Sequence, residues 1–126
     1  MHSSDGRLLK GKTIAVVDND IAVCDSMCAL LKANDIQART YVSGKRFLQE
    51  APNLACAIID YHMSGLNGLE LASELRKRAA TVPIIIITAS LDPALGQRAS
   101  AVGIDQVLRK PFALGVLLDA IRNELA

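Results

Sequence analysis

The run Pro83-Ile84-Ile85-Ile86-Ile87-Thr88 restricts the fold more than any other stretch of the chain. Four consecutive β-branched side chains leave no polar face, so a strand built from them must be covered on both sides. That happens inside a parallel sheet with helices packed above and below it. A parallel neighbour needs a crossover connection, normally a helix, and the rest of the sequence has strand-like and helix-like segments in alternation.

Ile14 to Val17 is a first apolar strand ending on Asp18-Asn19-Asp20. Val23, Met27, Leu30 and Leu31 then follow helical spacing, with Asp20 or Asn19 able to cap the helix start. Ile36 to Val42 has the mixed polarity of an edge strand, and Ser43 opens a short helix carrying Phe47 and Leu48, broken at Pro52-Asn53. Ala55 to Asp60 is the central strand, passing into a loop with Gly65, Asn67 and Gly68. A helix over 68–78 with Leu69, Ala72 and Leu75 on one face precedes the isoleucine strand. Ala94 to Val102 is a small-residue helix closed by Gly103, Ile104 to Leu108 a last short strand, and Leu114, Leu117, Leu118, Ile121 and Leu125 stripe the final helix. Five strands alternating with five helices specify an α/β fold with a doubly wound five-stranded parallel sheet, expected in the order 2-1-3-4-5 with right-handed crossovers.

At 126 residues, 51% hydrophobic and 21% charged, the chain suits one domain. Residues 1–12 are expected to be a flexible leader and 13–126 the domain. The leader overlaps a decoy: Gly6 to Thr13 satisfies G-x-x-x-x-G-K-[ST], but it precedes a strand instead of following one, so a phosphate-cradling loop is not expected. The apolar stretch at Val82 to Ile87 is far shorter than the roughly 20 residues that span a bilayer, which points to a cytoplasmic protein without membrane contact. A net charge of +1 gives no electrostatic footprint for nucleic acid. Cys24, Cys28 and Cys56 form no C-x-x-C pair and are expected to be small buried side chains.

In the expected strand order, Asp18-Asn19-Asp20, Asp60, Thr88 and Lys110 reach one rim of the sheet, where ligands bind in open α/β folds. Any one of them alone would be an ordinary loop residue. Clustered carboxylates repel unless a cation neutralises them, and oxygen ligands of this kind suit Mg²⁺ with several retained waters. A carboxylate beside Mg²⁺, with a hydroxyl and an ammonium to hold further oxygens, is equipped to accept a phosphoryl group, and Asp60 would become an aspartyl phosphate.

The Val16-Val17-Asp18-Asn19-Asp20 turn, the Asp60…Gly65…Gly68 segment, Thr88-Ala89 and Lys110-Pro111-Phe112 occur in an order and approximate spacing that resemble the receiver domain of two-component response regulators. Cys24-Asp25-Ser26-Met27 and Ser43…Phe47-Leu48 further resemble receivers of the nitrogen-fixation regulator (FixJ-like) type. The resemblance covers Thr13 to the C-terminus and implies a flavodoxin/CheY-like (βα)5 fold. It implies that Asp60 is the phosphoacceptor. Asp18 and Asn19, with Asp20 as an alternative, would hold Mg²⁺ together with Asp60 and the His62 backbone carbonyl. Thr88 would hold the phosphoryl group, Lys110 would pair with its oxygens, and the Lys110-Pro111 bond would be cis. A sensor histidine kinase or phosphotransfer protein would be the donor, and a downstream effector domain or protein the recipient of the signal.

Three residues depart from the family pattern. Asn19 stands where a second acid is usual, Ser64 where a proline is usual, and Val107 where an aromatic commonly swings inward. Two functions follow: a phosphorylation switch that catalyses its own phosphorylation and dephosphorylation, favoured by Asp18, Asp60, Thr88 and Lys110, or a pseudo-receiver that only binds protein partners, favoured by Asn19 and Val107. The sequence ends just after the last helix, as expected of a stand-alone receiver or of one excised from a longer regulator.

Overall fold

The computed structural model describes residues 12–51, 54–63, 65–78, 81–104 and 106–125. The expected leader over residues 1–12, except Lys12, most of the Gly6–Thr13 decoy, the Pro52-Asn53 break and the Ser64 departure lie outside the described residues. The elements alternate as β1 (Thr13–Val17), α1 (Ile21–Ala33), β2 (Gln37–Tyr41), α2 (Gly44–Glu50), β3 (Cys56–Asp60), α3 (Gly68–Lys77), β4 (Ile84–Thr88), α4 (Leu95–Ala101), β5 (Gln106–Arg109) and α5 (Leu114–Leu125). The strands form one parallel sheet in the order β2-β1-β3-β4-β5, as expected, with every element within a few residues of its predicted place.

Strand side chains alternate between two apolar layers. Val17, Ile59, Ile84 and Ile86 pack with Phe47, Leu71, Leu75 and Leu95 from α2, α3 and α4. Val16, Ile58, Ile85 and Ile87 pack with Leu31 from α1 and Leu117 and Ile121 from α5. The isoleucine run of β4 thus serves both layers, and all five of its residues are buried. The edge strand β2 is exposed along most of its length.

Local chemistry sets the helix boundaries. Asp20 is the N-cap of α1, its Oδ1 accepting from Ala22 N at 2.9 Å and Val23 N at 3.4 Å. Ser43 caps α2, and Asn67 and Glu70 form a reciprocal capping box at α3. Gly103, at φ +80°, lies just past α4, where the Gly103 N–H donates to Ser100 O and the Ile104 N–H to Ala99 O. The stripe expected on α1 is shifted: Cys24 and Leu31 are buried, whereas Leu30 is 45% exposed. Cys24 and Leu31 are two turns apart on one line of the helix, and Leu30, about 100° away around the axis, turns out of the interface. Cys24 and Cys56 are buried free thiols, as expected, and Cys28 is half-buried.

Arg76, on α3, ties two connections together: Nη1 donates to Val82 O at 3.0 Å and Nη2 to Gly103 O at 3.2 Å. Arg76→Ala keeps helix propensity but strands two carbonyls, so it is expected to lower stability by about 1–2 kcal/mol, read by chemical denaturation. An unchanged denaturation midpoint would show that water replaces both bonds without cost.

Candidate functional site

The carboxyl ends of β1, β3, β4 and β5 bring the predicted polar residues to one rim. Asp60, the last residue of β3, lies opposite Ile87 in β4, and Lys110 follows β5. The Lys110 ammonium is 3.2 Å from Asp60 Oδ1, joining groups 50 residues apart in the chain. The Lys110-Pro111 bond is cis, as the sequence resemblance implies. Lys110 N–H donates to Thr88 O at 2.7 Å, which fixes the start of the lysine against the end of β4.

Asp18 and Thr88 are the buried polar residues of the described chain, 5% and 1% exposed. Both sit at this rim. Asp18 Oδ1 accepts from Asp20 N at 2.9 Å, and Thr88 Oγ1 accepts from Ser90 N at 2.9 Å. Asn19 and Asp20 are exposed, and Asp20 spends one carboxylate oxygen capping α1. His62 lies two residues past Asp60, its ring edge-on to Tyr61 with centroids 5.0 Å apart. A cleft of about 390 Å³ opens beside the carboxylates, with Asp18, Asp60 and Lys110 at its polar end and Val23, Met27 and Phe112 among its apolar walls.

Burial pushes the Asp18 carboxyl above the ordinary carboxylate value; the Asp20 N–H opposes this, Asp60 adds to it and Lys110 offsets part. The folded state therefore holds the Asp18 proton more tightly than the unfolded chain does. Between the ordinary aspartate value and the raised one, the folded state binds more protons, so stability falls as pH rises through that window. Asp18→Asn keeps an oxygen for the Asp20 N–H and removes the charge. In chelator it is expected to melt above the wild type at neutral pH, with the gap closing as pH falls through the window. Thermal melts across pH check this, and equal melting at neutral pH would contradict it.

The donor set fits a hard divalent cation. Asp18 and Asp60 are two carboxylates whose charges oppose each other, and a cation would relieve the cost of holding both ionised. Among the described residues no group of three or more His, Cys, Asp or Glu side chains is placed to hold a metal ion, consistent with Asp20 being turned to its cap. Two carboxylates with neutral oxygens and water are a ligand set that suits Mg²⁺.

Sequence reading missed two features of the rim. Gly68 N–H donates to Tyr61 O at 2.8 Å, seating the first residue of α3 against the end of β3. Tyr61 Oη accepts from Arg98 Nη2 on α4 at 3.2 Å. The Gly65…Gly68 spacing was a signal for the first; the second joins residues 37 apart in the chain and left no local pattern.

Residues 14–122 match the family model of the response regulator receiver domain. The chain is 34% identical over 116 residues to the transcriptional regulatory protein TdiR of Thauera aromatica, covering 90% of this chain and 51% of that protein. It is 32% identical over 114 residues to the transcriptional regulatory protein FixJ of Azorhizobium caulinodans, covering 89% and 54%. The chain thus spans about half the length of these curated relatives. Among solved structures, the FixJ-N crystal structure is similar at 26% identity with a TM-score of 0.84, covering 92% of this chain and 94% of that one. The Francisella response regulator 1452 receiver domain is similar at 25% identity and a TM-score of 0.84, covering 91% and 97%. Among the described residues no helix is long and apolar enough to cross a membrane. With its sheet order, its rim and these similarities in agreement, the chain belongs to the receiver domain family of two-component response regulators.

Proposed function

We propose that residues 13–126 form a cytoplasmic phosphoacceptor receiver that takes a phosphoryl group onto Asp60 from a phosphohistidine of a sensor kinase or phosphotransfer protein. The observation that carries this reading is the Lys110–Asp60 contact of 3.2 Å beside the buried Asp18 and Thr88. In the step, an Asp60 carboxylate oxygen forms a bond to phosphorus while the P–N bond to the donor imidazole breaks, and the imidazole keeps the electron pair. Lys110 holds one carboxylate oxygen before transfer, and it meets the phosphoryl oxygens after transfer, when the negative charge has moved onto them. The Thr88 hydroxyl donates to a further phosphoryl oxygen. Asp18, Asp60, Asn19 and the His62 carbonyl would hold Mg²⁺, with Asp20 as a weaker alternative because of its cap. When bound, the ion supplies charge neutralisation for the incoming phosphoryl group. Hydrolysis of the aspartyl phosphate resets the switch, and the output passes to an effector domain or protein, without direct nucleic-acid contact by this domain. Incubation with Mg²⁺ and acetyl phosphate, read by intact mass, is expected to add one phosphoryl group. No mass change would leave a pseudo-receiver that acts only by binding partner proteins.

Asn19 supplies a neutral oxygen where an anionic ligand would bind the cation more strongly. Asn19→Asp is expected to tighten Mg²⁺ binding about tenfold, or about 1.4 kcal/mol, the scale of one screened charge interaction less the desolvation of a new carboxylate. The added charge should also lower the melting temperature in chelator and raise it in excess Mg²⁺. Calorimetric titration of both proteins checks the affinity, and equal values would mean that position 19 points away from the metal.

A further inference from the structure

We propose that Asn67 is a site of spontaneous deamidation, held in check by the capping box of α3 and released when the start of that helix opens. Asn67 is the one asparagine of the chain that precedes a glycine. A following glycine has no Cβ to shield its nitrogen from the asparagine side chain, and its backbone turns freely. The fold cannot exchange that glycine for a bulkier, safer residue, because a Cβ at position 68 would lie 2.9 Å from Asp60 O and 2.9 Å from Tyr61 Cα. The close seating of α3 on the end of β3 therefore builds a labile peptide into the rim.

The reaction needs only water. Gly68 N forms a bond to Asn67 Cγ, the bond from Cγ to the side-chain nitrogen breaks, and ammonia leaves with the Gly68 amide proton. Water then opens the five-membered imide, its hydroxyl joining a carbonyl carbon and its proton returning to Gly68 N. Opening at Cγ leaves aspartate, which still caps α3. Opening at the main-chain carbonyl leaves isoaspartate, with the backbone running through the side chain. The folded state opposes ring closure. Gly68 N–H donates to Tyr61 O at 2.8 Å, which keeps the attacking nitrogen protonated and turned toward β3. Asn67 Oδ1 accepts from Glu70 N at 2.8 Å, and Asn67 N–H donates to Glu70 Oε1 at 2.8 Å. With ψ of Asn67 at 172°, Gly68 N is out of line with the side chain, and ψ must turn before the ring closes. The Glu70 N–H also polarises the carbonyl under attack, so the restraint is one of conformation and lasts only while the capping box stays shut. Isoaspartate adds a main-chain atom beside the tight contacts of Gly68 and pulls the Gly68 N–H off Tyr61 O. The deamidation does not depend on any role of Asp60, whereas its effect on phosphate uptake rests on Asp60 as the phosphoacceptor.

Ageing the full chain at neutral pH, in buffer and in guanidinium chloride, with peptide mapping by mass spectrometry, tests the site. The peptide holding Asn67 should gain about one mass unit, and do so about thirtyfold more slowly in buffer than in denaturant, the scale of two hydrogen bonds that must open first. Glu70→Ala should deamidate about fivefold faster than the wild type in buffer and equally fast in denaturant. Glu70→Gln, which closes the same box, should keep the slow rate, and Asn67→Ser, a good cap without an amide, should gain nothing. The acidic fraction of aged wild type, separated by ion exchange, should melt below the unmodified fraction and take up phosphate from acetyl phosphate more slowly. Protein isoaspartyl methyltransferase with S-adenosylmethionine, which returns isoaspartate to aspartate, should restore both. No gain at Asn67 in denaturant, or equal rates in buffer and denaturant, overturns the proposal, and an acidic fraction that melts with the unmodified one overturns the effect assigned to isoaspartate. Mapped rates as expected with no phosphate on either fraction overturn the phosphoacceptor reading and leave the deamidation site standing.

Discussion

Asp60→Asn is expected to gain no phosphate from acetyl phosphate and Mg²⁺ under conditions in which the wild type is modified. The amide of asparagine is not a nucleophile toward phosphorus, and the rim offers no substitute. Asp18 is buried with one oxygen engaged by the Asp20 N–H, and Asp20 is turned to the α1 cap. Neither has the Lys110 contact that Asp60 has. Lys110→Ala separates positioning from nucleophilicity, because Asp60 remains but its charge-assisted partner is gone. Phosphate uptake should slow about tenfold, the scale of one such hydrogen bond, while the melting transition stays cooperative. Phosphate on Asp60→Asn, located by peptide mapping to another acid, would remove Asp60 from its assigned role.

Legibility in the sequence followed how local each constraint was. The β4 isoleucine run allowed little other than an interior strand, and it lies between β3 and β5 with both faces covered. Asp18, Asp60, Thr88 and Lys110 were readable because each ends or follows a strand, so sheet order alone sends them to one rim. Asp20 and Asn19 were harder, because capping and metal binding use the same oxygen chemistry, and only coordinates show Asp20 engaged by Ala22 and Val23. Leu30 misled because helical spacing identifies a stripe without fixing which edge of it meets the sheet. The Asp92–Arg98–Tyr61 links were invisible, since charged and hydroxyl groups at an exposed surface carry no period.

Gly68→Ala is expected to be the most damaging single-methyl change at the rim. A Cβ at this position would lie 2.9 Å from Asp60 O, 2.9 Å from Tyr61 Cα and 3.2 Å from Ile86 Cδ1. Two of those atoms are backbone at the end of β3, so no side-chain rotation relieves the overlap. Either α3 backs away from the sheet, breaking the Gly68 N–H bond to Tyr61 O, or the Asp60-Tyr61 segment moves. Alanine's better helix propensity, about 1 kcal/mol, works against this cost. The overpacking, at the upper end of its usual range because backbone atoms are met, should nevertheless prevail, leaving a net loss of about 1–2 kcal/mol and a melting temperature lower by roughly 4–8 °C. Gly96→Ala is the matched control: nothing lies within 4 Å of its added Cβ, and the same propensity gain on α4 should stabilise by about 0.5–1 kcal/mol. At a temperature where both variants are folded, Gly68→Ala should also accept phosphate more slowly than Gly96→Ala, because the displaced segment carries Asp60, the proposed phosphoacceptor. A Gly68→Ala protein that melts at or above the wild type would mean that the α3 start yields without cost, and that the close seating of Gly68 does not hold Asp60 in place.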